Sequence, residues 1–465
     1  MKAHSIFLFI AGVIGLLSVV CLVLDGQGVN IGIYTLRFPS VDDMMRGNEH
    51  HVSADSLVLQ VEQTMEIAPV DSSSLAREDS LRFYKDFFEN NIARFHLPND
   101  SVEYLFPLFE SLDNAMTQHV HIMHYGDSQI EGDRITGYLR LRLQERFGGA
   151  GPGLLPLVQP IGATSVAQRL SDTIPSYYAG GMMGDRASHN DYGAMAQFAR
   201  LETPLDSGIT LTITTRRSSP FRRIILYASD VDSLNAEIGG TKKSIANRDK
   251  TCSLSWILRK DLKKVSVAMA GKANILGLAV DGETGVTASN IPMRGSDGTF
   301  FTRISKSAVK YMLDDLNTRL VLLEFGGNAL PCIRDSVGVE KFCKGFAKQI
   351  RYINDVCPEA RIIVIGPADM STKINGRLQT HSMLPRLVSR LRETTVETGA
   401  AYWDMYDAMG GYNSMLSWVE HKPQWAATDY IHFTPKGADR IAELLWKSLM
   451  VYYDYACFMR KEDHK

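Results

Sequence analysis

The sequence contains little cysteine, little excess charge and none of the common nucleotide-binding motifs. Six cysteines in 465 residues are too few for a disulfide scaffold, and their spacings match no zinc-binding pattern. The 50 Lys and Arg residues nearly balance the 52 Asp and Glu residues, so the basic excess typical of a nucleic-acid-binding protein is missing. Neither a P-loop nor a dinucleotide fingerprint is present. The length is that of about two or three domains.

Only one long apolar run is present, and it lies at the N-terminus. Residues 6–24, IFLFIAGVIGLLSVVCLVL, carry no charge, and a helix needs roughly 20 such residues to cross a bilayer. Lys2 precedes the run and Asp25 follows it, so the positive-inside rule predicts an uncleaved single-pass anchor with the rest of the chain on the periplasmic side of the cell membrane. A cleaved signal peptide and a lipoprotein signal ending at Cys21 are alternatives, and both also place the body outside the cytoplasm.

The patterning of the remaining chain predicts four kinds of segment. Residues 25–78 are polar and mixed, which is typical of a tether, and residues 79–118 carry the spacing of a helical lead-in. Residues 119–164 and 286–455 alternate short apolar runs with helical patterns, as an α/β domain does. Between them, residues 165–285 contain short alternating runs separated by turns, which predicts an inserted β-sandwich of the jelly-roll type.

Within these segments the pattern locates individual elements. The inserted part has predicted strands at residues 209–215, 223–229, 253–258, 264–270 and 275–282. The α/β part has predicted strands at 119–125, 319–327, 361–367 and 400–406, with helices near 340–356, 382–398 and 435–450. The nearly continuous apolar run RLVLLEFGG at 319–327 is typical of a parallel strand that is buried on both faces.

Two short polar blocks contain a candidate nucleophile and a candidate base. Gly126-Asp127-Ser128 ends the first α/β strand, and a Ser at such a turn is exposed with backbone N–H groups beside it. The block DYIH at 429–432 offers His432 as a general base. Asp429 can fix the tautomer of His432 only if the local backbone turns.

Two further blocks offer donors that stabilise an oxyanion. Asn328 follows the buried strand in the triplet GGN, and its amide can donate a hydrogen bond. The block NIPMRGSDG at 290–298 offers the backbone N–H of Gly295. Each block alone also fits an ordinary turn, loop or helix cap. Their order along the chain and their positions at strand ends favour one shared site.

This order of blocks resembles the SGNH hydrolase superfamily, the GDSL-type esterases, over about residues 119–165 and 285–450. The resemblance implies a flavodoxin-like three-layer α/β fold, with Ser128 as nucleophile, His432 as base and Asp429 as its orienting partner. It also implies an oxyanion hole formed by the N–H groups of Ser128 and Gly295 and by the amide of Asn328, with no cofactor and no metal. The chain departs from the family pattern, since the first block reads GDSQ rather than GDSL and the third reads GGNA.

The inserted β-rich part and the stretch HYGDSQIEGDRITGYLR narrow the resemblance to peptidoglycan O-acetylesterases, which carry a carbohydrate-binding-like insertion. The implied activity is removal of O-acetyl groups from an acetylated cell-envelope glycan through an acetyl-Ser128 intermediate. Two alternatives remain open. One is a glycan O-acetyltransferase that works with a multi-span membrane acyltransferase, and the other is a catalytically inactive glycan-binding protein.

Aromatic and histidine residues raise two further hypotheses. Four aromatic side chains of the inserted part either stack on a sugar or pack in its core: Trp256, Tyr177, Tyr178 and Tyr192. His119 and His121 lie two residues apart on the first predicted strand and therefore share a face, where a metal ion is conceivable. The esterase chemistry needs no metal, so none is expected.

Overall fold

The computed structural model describes residues 28–31, 34–37, 74–182, 184–216, 220–374 and 376–463. The predicted membrane anchor at 6–24 lies outside these ranges, as does most of the predicted tether. Within them, no helix has both the length and the apolar character that a membrane span requires. Residues 1–52 form a unit of their own, whose described part is a hairpin of β1 (Gly28–Ile31) and β2 (Tyr34–Arg37).

Residues 53–465 form the second unit, which holds an α/β part and a β-rich part. Its helices are α1 (Ser74–Asn90), α2 (Phe106–Asp113), α3 (Arg134–Phe147), α4 (Lys306–Asp315), α5 (Ser336–Val356), α6 (Leu384–Glu397), α7 (Met405–Ala408), α8 (Ser414–Glu420) and α9 (Pro435–Asp463). Strands of the α/β part are β3 (Phe95–His96), β4 (His119–Gly126), β14 (Gly285–Pro292), β15 (Thr318–Glu324), β16 (Arg361–Ile365) and β19 (Ala401–Trp403), with a hairpin of β17 (Ser371–Ile374) and β18 (Arg377–Thr380). Strands of the β-rich part are β5 (Gly153–Leu155), β6 (Val166–Leu170), β7 (Ser176–Tyr178), β8 (Gln197–Thr203), β9 (Ile209–Thr215), β10 (Phe221–Ile238), β11 (Thr241–Arg248), β12 (Cys252–Leu262) and β13 (Lys264–Asp281).

Six strands form the central sheet, in the order β14-β4-β15-β16-β19-β3. The first five are parallel, and β3 pairs antiparallel with β19 at the edge. Numbered along the chain, the five parallel strands have the order 2-1-3-4-5, which is that of flavodoxin-like sheets. Alternate side chains face two separate cores, one against α1, α2, α3 and α9 and the other against α4, α5 and α6. The predicted α/β fold is therefore confirmed, with helices on both faces of the sheet.

The β-rich part is built on two long antiparallel strands, β10 and β13. The sequence predicts two strands at 264–270 and 275–282, and this is wrong, because β13 runs unbroken from Lys264 to Asp281. Gly271 lies within β13 at a φ of 120°, and a Cβ there would be 2.2 Å from the carbonyl oxygen of Ser233. The pairing of β13 with β10 shifts register next to this glycine but continues on both sides of it.

Three other predicted elements differ from the structure. The helical lead-in contains a strand, because Phe95 lies in β3 and joins the central sheet. The strand predicted at 400–406 ends at Trp403, and a short helix follows it. The last helix continues beyond residue 450 to Asp463, and its Tyr452 is buried against α1, with its ring 4.5 Å from that of Phe88.

Candidate active site

The five predicted site residues lie at the carboxyl edge of the central sheet. Ser128 follows β4, Gly295 follows β14 and Asn328 follows β15, while His432 lies just before α9. In open α/β sheets ligands bind at this edge, where neighbouring loops diverge. A cleft of about 570 Å³ opens there, and Ser128, Gly295, Asn328 and His432 all line it.

Ser128, His432 and Asp429 form a hydrogen-bonded chain. The Oγ of Ser128 lies 2.8 Å from Nε2 of His432, and Nδ1 of His432 lies 2.7 Å from Oδ2 of Asp429. Because a carboxylate only accepts hydrogen bonds, Nδ1 carries the proton and Nε2 keeps a lone pair directed at the Ser128 hydroxyl. This is the arrangement in which an imidazole can act as a general base on a serine.

A tight turn explains how Asp429 reaches a ring only three residues away. Tyr430 adopts a φ of 58°, and Oδ1 of Asp429 accepts hydrogen bonds from the N–H groups of Ile431 and His432, each at 3.0 Å. Burial alone would raise the pKa of the Asp429 carboxyl. The hydrogen bonds from the His432 ring and from both N–H groups outweigh burial and hold that pKa below its ordinary value.

The candidate oxyanion donors all line the cleft. Among the described residues, neither the N–H of Ser128 nor that of Gly295 donates to a protein acceptor. Gly295 adopts a φ of 70°, and a Cβ there would lie 2.8 Å from Cγ of Met182. Nδ2 of Asn328 donates to Oδ2 of Asp127 at 2.8 Å and to the carbonyl of Ser296 at 3.2 Å. Both amide hydrogens of Asn328 are thus engaged, so an oxyanion bound by this amide would displace one of the two bonds.

Asp127 directly precedes Ser128 in the chain and is buried, and no role was predicted for it. Burial raises the pKa of its carboxyl to about 7, and the negative charges of Glu324 and Glu131 act in the same direction. Hydrogen bonds from the N–H of Gln129 and from the amide of Asn328 oppose the rise. The Asp127 carboxyl, whose pKa is raised, therefore positions two groups by accepting their hydrogen bonds: the backbone N–H of Gln129 and the side-chain amide of Asn328.

Arg294 and Met182 form part of the outer wall of the cleft. The Arg294 guanidinium makes a two-pronged ion pair with Glu131, with both N–O distances at 2.7 Å. Met182 comes from the loop after β7, and its N–H donates to the carbonyl of Arg294 at 2.8 Å. The β-rich part therefore contributes directly to the wall of the cleft. Sequence patterning could not indicate this contact, because it joins loops more than a hundred residues apart.

The structure also bears on the sugar-stacking hypothesis for four aromatic residues and on the metal hypothesis for His119 and His121. Trp256, Tyr178 and Tyr192 are buried, so their side chains pack in the core, and Tyr177 is half-buried.

His119, His121 and Asp281 form a buried cluster whose potential ligand atoms all lie within 4.8 Å of one another. Both carboxylate oxygens of Asp281 are already bonded by the guanidinium of Arg223, at 2.7 and 3.0 Å. That positive charge disfavours a second cation at the cluster.

Comparison with known proteins shows that the chain shares its fold with a solved structure. No protein-family model and no curated protein sequence matches the chain. A solved structure titled as a peptidoglycan O-acetylesterase in action aligns over 76% of this chain and 96% of its own, with a TM-score of 0.64 and 21% identity. The predicted resemblance is confirmed in the fold. A family two carbohydrate esterase from Cellvibrio japonicus aligns over 63% of this chain and 99% of its own at 11% identity, but its TM-score of 0.26 is too low to support a shared fold.

Proposed function

We propose that this protein is a serine esterase of the SGNH type that removes O-acetyl groups from a cell-envelope glycan. The observation that carries the proposal is the hydrogen-bonded chain from Ser128 through His432 to Asp429. It lies in an open cleft beside two uncommitted N–H groups, as acyl transfer to a serine requires. The fold shared with a peptidoglycan O-acetylesterase supports a glycan ester as the substrate.

The proposed reaction has two half-reactions. His432 takes the proton of Ser128 as Oγ attacks the acetyl carbonyl carbon, and the N–H groups of Ser128 and Gly295 bind the oxyanion together with the Asn328 amide. The sugar oxygen leaves with the proton from His432, which gives a free hydroxyl and an acetyl ester on Ser128. Water then loses a proton to His432 and attacks this ester, and acetate departs as the proton returns to Ser128.

The proposed location follows from the apolar run at 6–24 rather than from any contact in the described residues. A single-pass anchor there would hold the catalytic body on the outer side of the cell membrane, where envelope glycans are found. Fractionation of cells that produce the full chain, with protease added to intact spheroplasts, tests this. Degradation of the body without lysis agrees with the proposal, and protection of the body until lysis contradicts it.

Acetate release from O-acetylated peptidoglycan tests the activity itself. We expect the wild-type protein to release acetate and to gain the mass of one acetyl group on Ser128 when the reaction is quenched in acid. Acetyl groups that appear on an added sugar acceptor, with no free acetate, would instead identify a transferase. Binding of the glycan with neither product would identify a binding protein and would contradict the proposal.

A further inference from the structure

The turn that carries His432 is attached to the nucleophile by side chains outside the triad. The His432 side chain is 36% exposed and that of Asp429 is 47% exposed, so packing holds them only weakly. The buried side chain of Gln129, the residue after the nucleophile, reaches this turn. Its Nε2 donates to the carbonyl of Ile431 at 2.6 Å, and its Oε1 accepts from the N–H of Phe433 at 3.3 Å.

These two contacts bracket His432, because Ile431 and Phe433 are its neighbours in the chain. A primary amide presents a donor and an acceptor side by side, so it pairs with the backbone of this turn as a neighbouring strand would. The backbone of Gln129 is fixed as well, since its N–H donates to Oδ1 of Asp127 at 2.9 Å. Gln129 therefore links the backbone beside Ser128 to the residues on either side of His432, Ile431 and Phe433.

Arg134 makes a second connection between the same two segments. Its Nη2 donates to the carbonyl of Ser128 at 2.8 Å, and its Nη1 donates to the carbonyl of Phe433 at 2.8 Å. Its Nε donates to the carbonyl of Glu131 at 2.9 Å, which sets the plane of the guanidinium. A planar fork with several fixed donors can bridge two backbone segments in this way, whereas a lysine offers a single charged atom.

We infer that Gln129 and Arg134 are positioning residues that hold His432 in line with the Ser128 hydroxyl. The inference rests on the proposed esterase function, for which a Ser–His contact is required. A displacement of about 1 Å between reacting groups can cost about 100-fold in rate. A leucine at position 129 would fill similar space, but it would leave the Ile431 carbonyl and the Phe433 N–H without their partner.

The first test compares Gln129→Leu and Arg134→Lys with the wild type on p-nitrophenyl acetate. We expect kcat to fall about 10- to 100-fold in each, with KM changed by less than about 2-fold. Gln144→Leu is the matched control. Gln144 is also a buried glutamine whose amide donates to backbone carbonyls, those of Gly151 and Val286, but it does not line the cleft. We expect its kcat to equal that of the wild type.

The second test asks whether the two residues act through His432. In a His432→Ala background, Gln129→Leu and Arg134→Lys should each change the residual rate by less than about 2-fold, because no base remains to be positioned. Circular dichroism and thermal melting of every variant show that each one is folded. An unchanged kcat in both single variants, an equal loss in Gln144→Leu, or the same losses in the His432→Ala background would each overturn the inference. An inactive wild type would overturn the proposed function itself, so the two failures are distinguishable.

Discussion

Replacing Asp127 by asparagine should change the stability of the protein in opposite directions at low and high pH. The ordinary pKa of an Asp carboxyl is 3.8, and burial raises that of Asp127 to about 7. Between about pH 4 and pH 7 the folded chain therefore holds a proton at Asp127 that the unfolded chain has lost. Stability must then fall as the pH rises through this interval.

The magnitude follows from the size of the pKa change. At about 1.4 kcal/mol per pKa unit, the ionised carboxyl lowers the free energy of unfolding by about 4 kcal/mol above pH 7. Asparagine removes this cost, but its NH2 group accepts no hydrogen bond, whereas both oxygens of the carboxyl can accept even when one carries a proton. One of the two donors, the N–H of Gln129 or the amide of Asn328, therefore loses its acceptor in the variant. Losing one such bond costs about 1–3 kcal/mol at any pH. The variant should thus be less stable than the wild type near pH 4 and more stable near pH 8.

Urea denaturation followed by tryptophan fluorescence measures this difference at several values of pH. Other titrating groups are common to both proteins, so the difference between the two free energies of unfolding reports on Asp127 and its interaction with Glu324 and Glu131. We expect that difference to change sign between about pH 4 and pH 8. A difference that stays constant over this range would show that Asp127 does not take up a proton on folding, and would refute the reasoning.

Three substitutions at the candidate site give further predictions, each measured as kcat and KM on p-nitrophenyl acetate. Asn328→Ala should lower kcat about 100- to 1000-fold if its amide binds the oxyanion, and an unchanged kcat would remove it from the site. Asp429→Asn should lower kcat by up to about 10⁴-fold, because the His432 ring then loses its fixed tautomer; a loss below about 10-fold would contradict this. Gly295→Ala should lower kcat because its φ of 70° strains any other residue and its Cβ would meet Met182. Wild-type activity in that variant would show that the loop accepts a Cβ at position 295 without moving this N–H.

Much of the sheet could be predicted from local patterns. The run at 319–327 is apolar throughout because β15 lies inside a parallel sheet, and this signal needs no knowledge of distant residues. The start of α9 could also be predicted from neighbouring residues, since Pro435 is its first residue and Oγ1 of Thr434 accepts a hydrogen bond from the N–H of Gly437. The prediction for β13 was wrong because residues 271–274 break the apolar alternation, and the pairing with β10 that carries the strand through them is not visible in a local pattern.

The site itself was only partly predictable. Blocks at strand ends indicated Ser128 and Asn328, because parallel strands bring their carboxyl ends to one edge. The contacts of Gln129 with the turn around His432 join positions about three hundred residues apart, and no local pattern records them. The raised pKa of Asp127 likewise depends on burial and on Glu324, which only the folded chain brings near.

Hydrolysis of p-nitrophenyl acetate by residues 26–465, with Ser128→Ala as the comparison, tests the central claim most directly. The account predicts turnover by the wild type and a loss of at least about 1000-fold in Ser128→Ala, since the nucleophile is then missing. Circular dichroism of both proteins shows that the comparison is between folded chains. Equal turnover in the two proteins would mean that Ser128 is not the nucleophile, and a folded wild type without any turnover would contradict the esterase assignment.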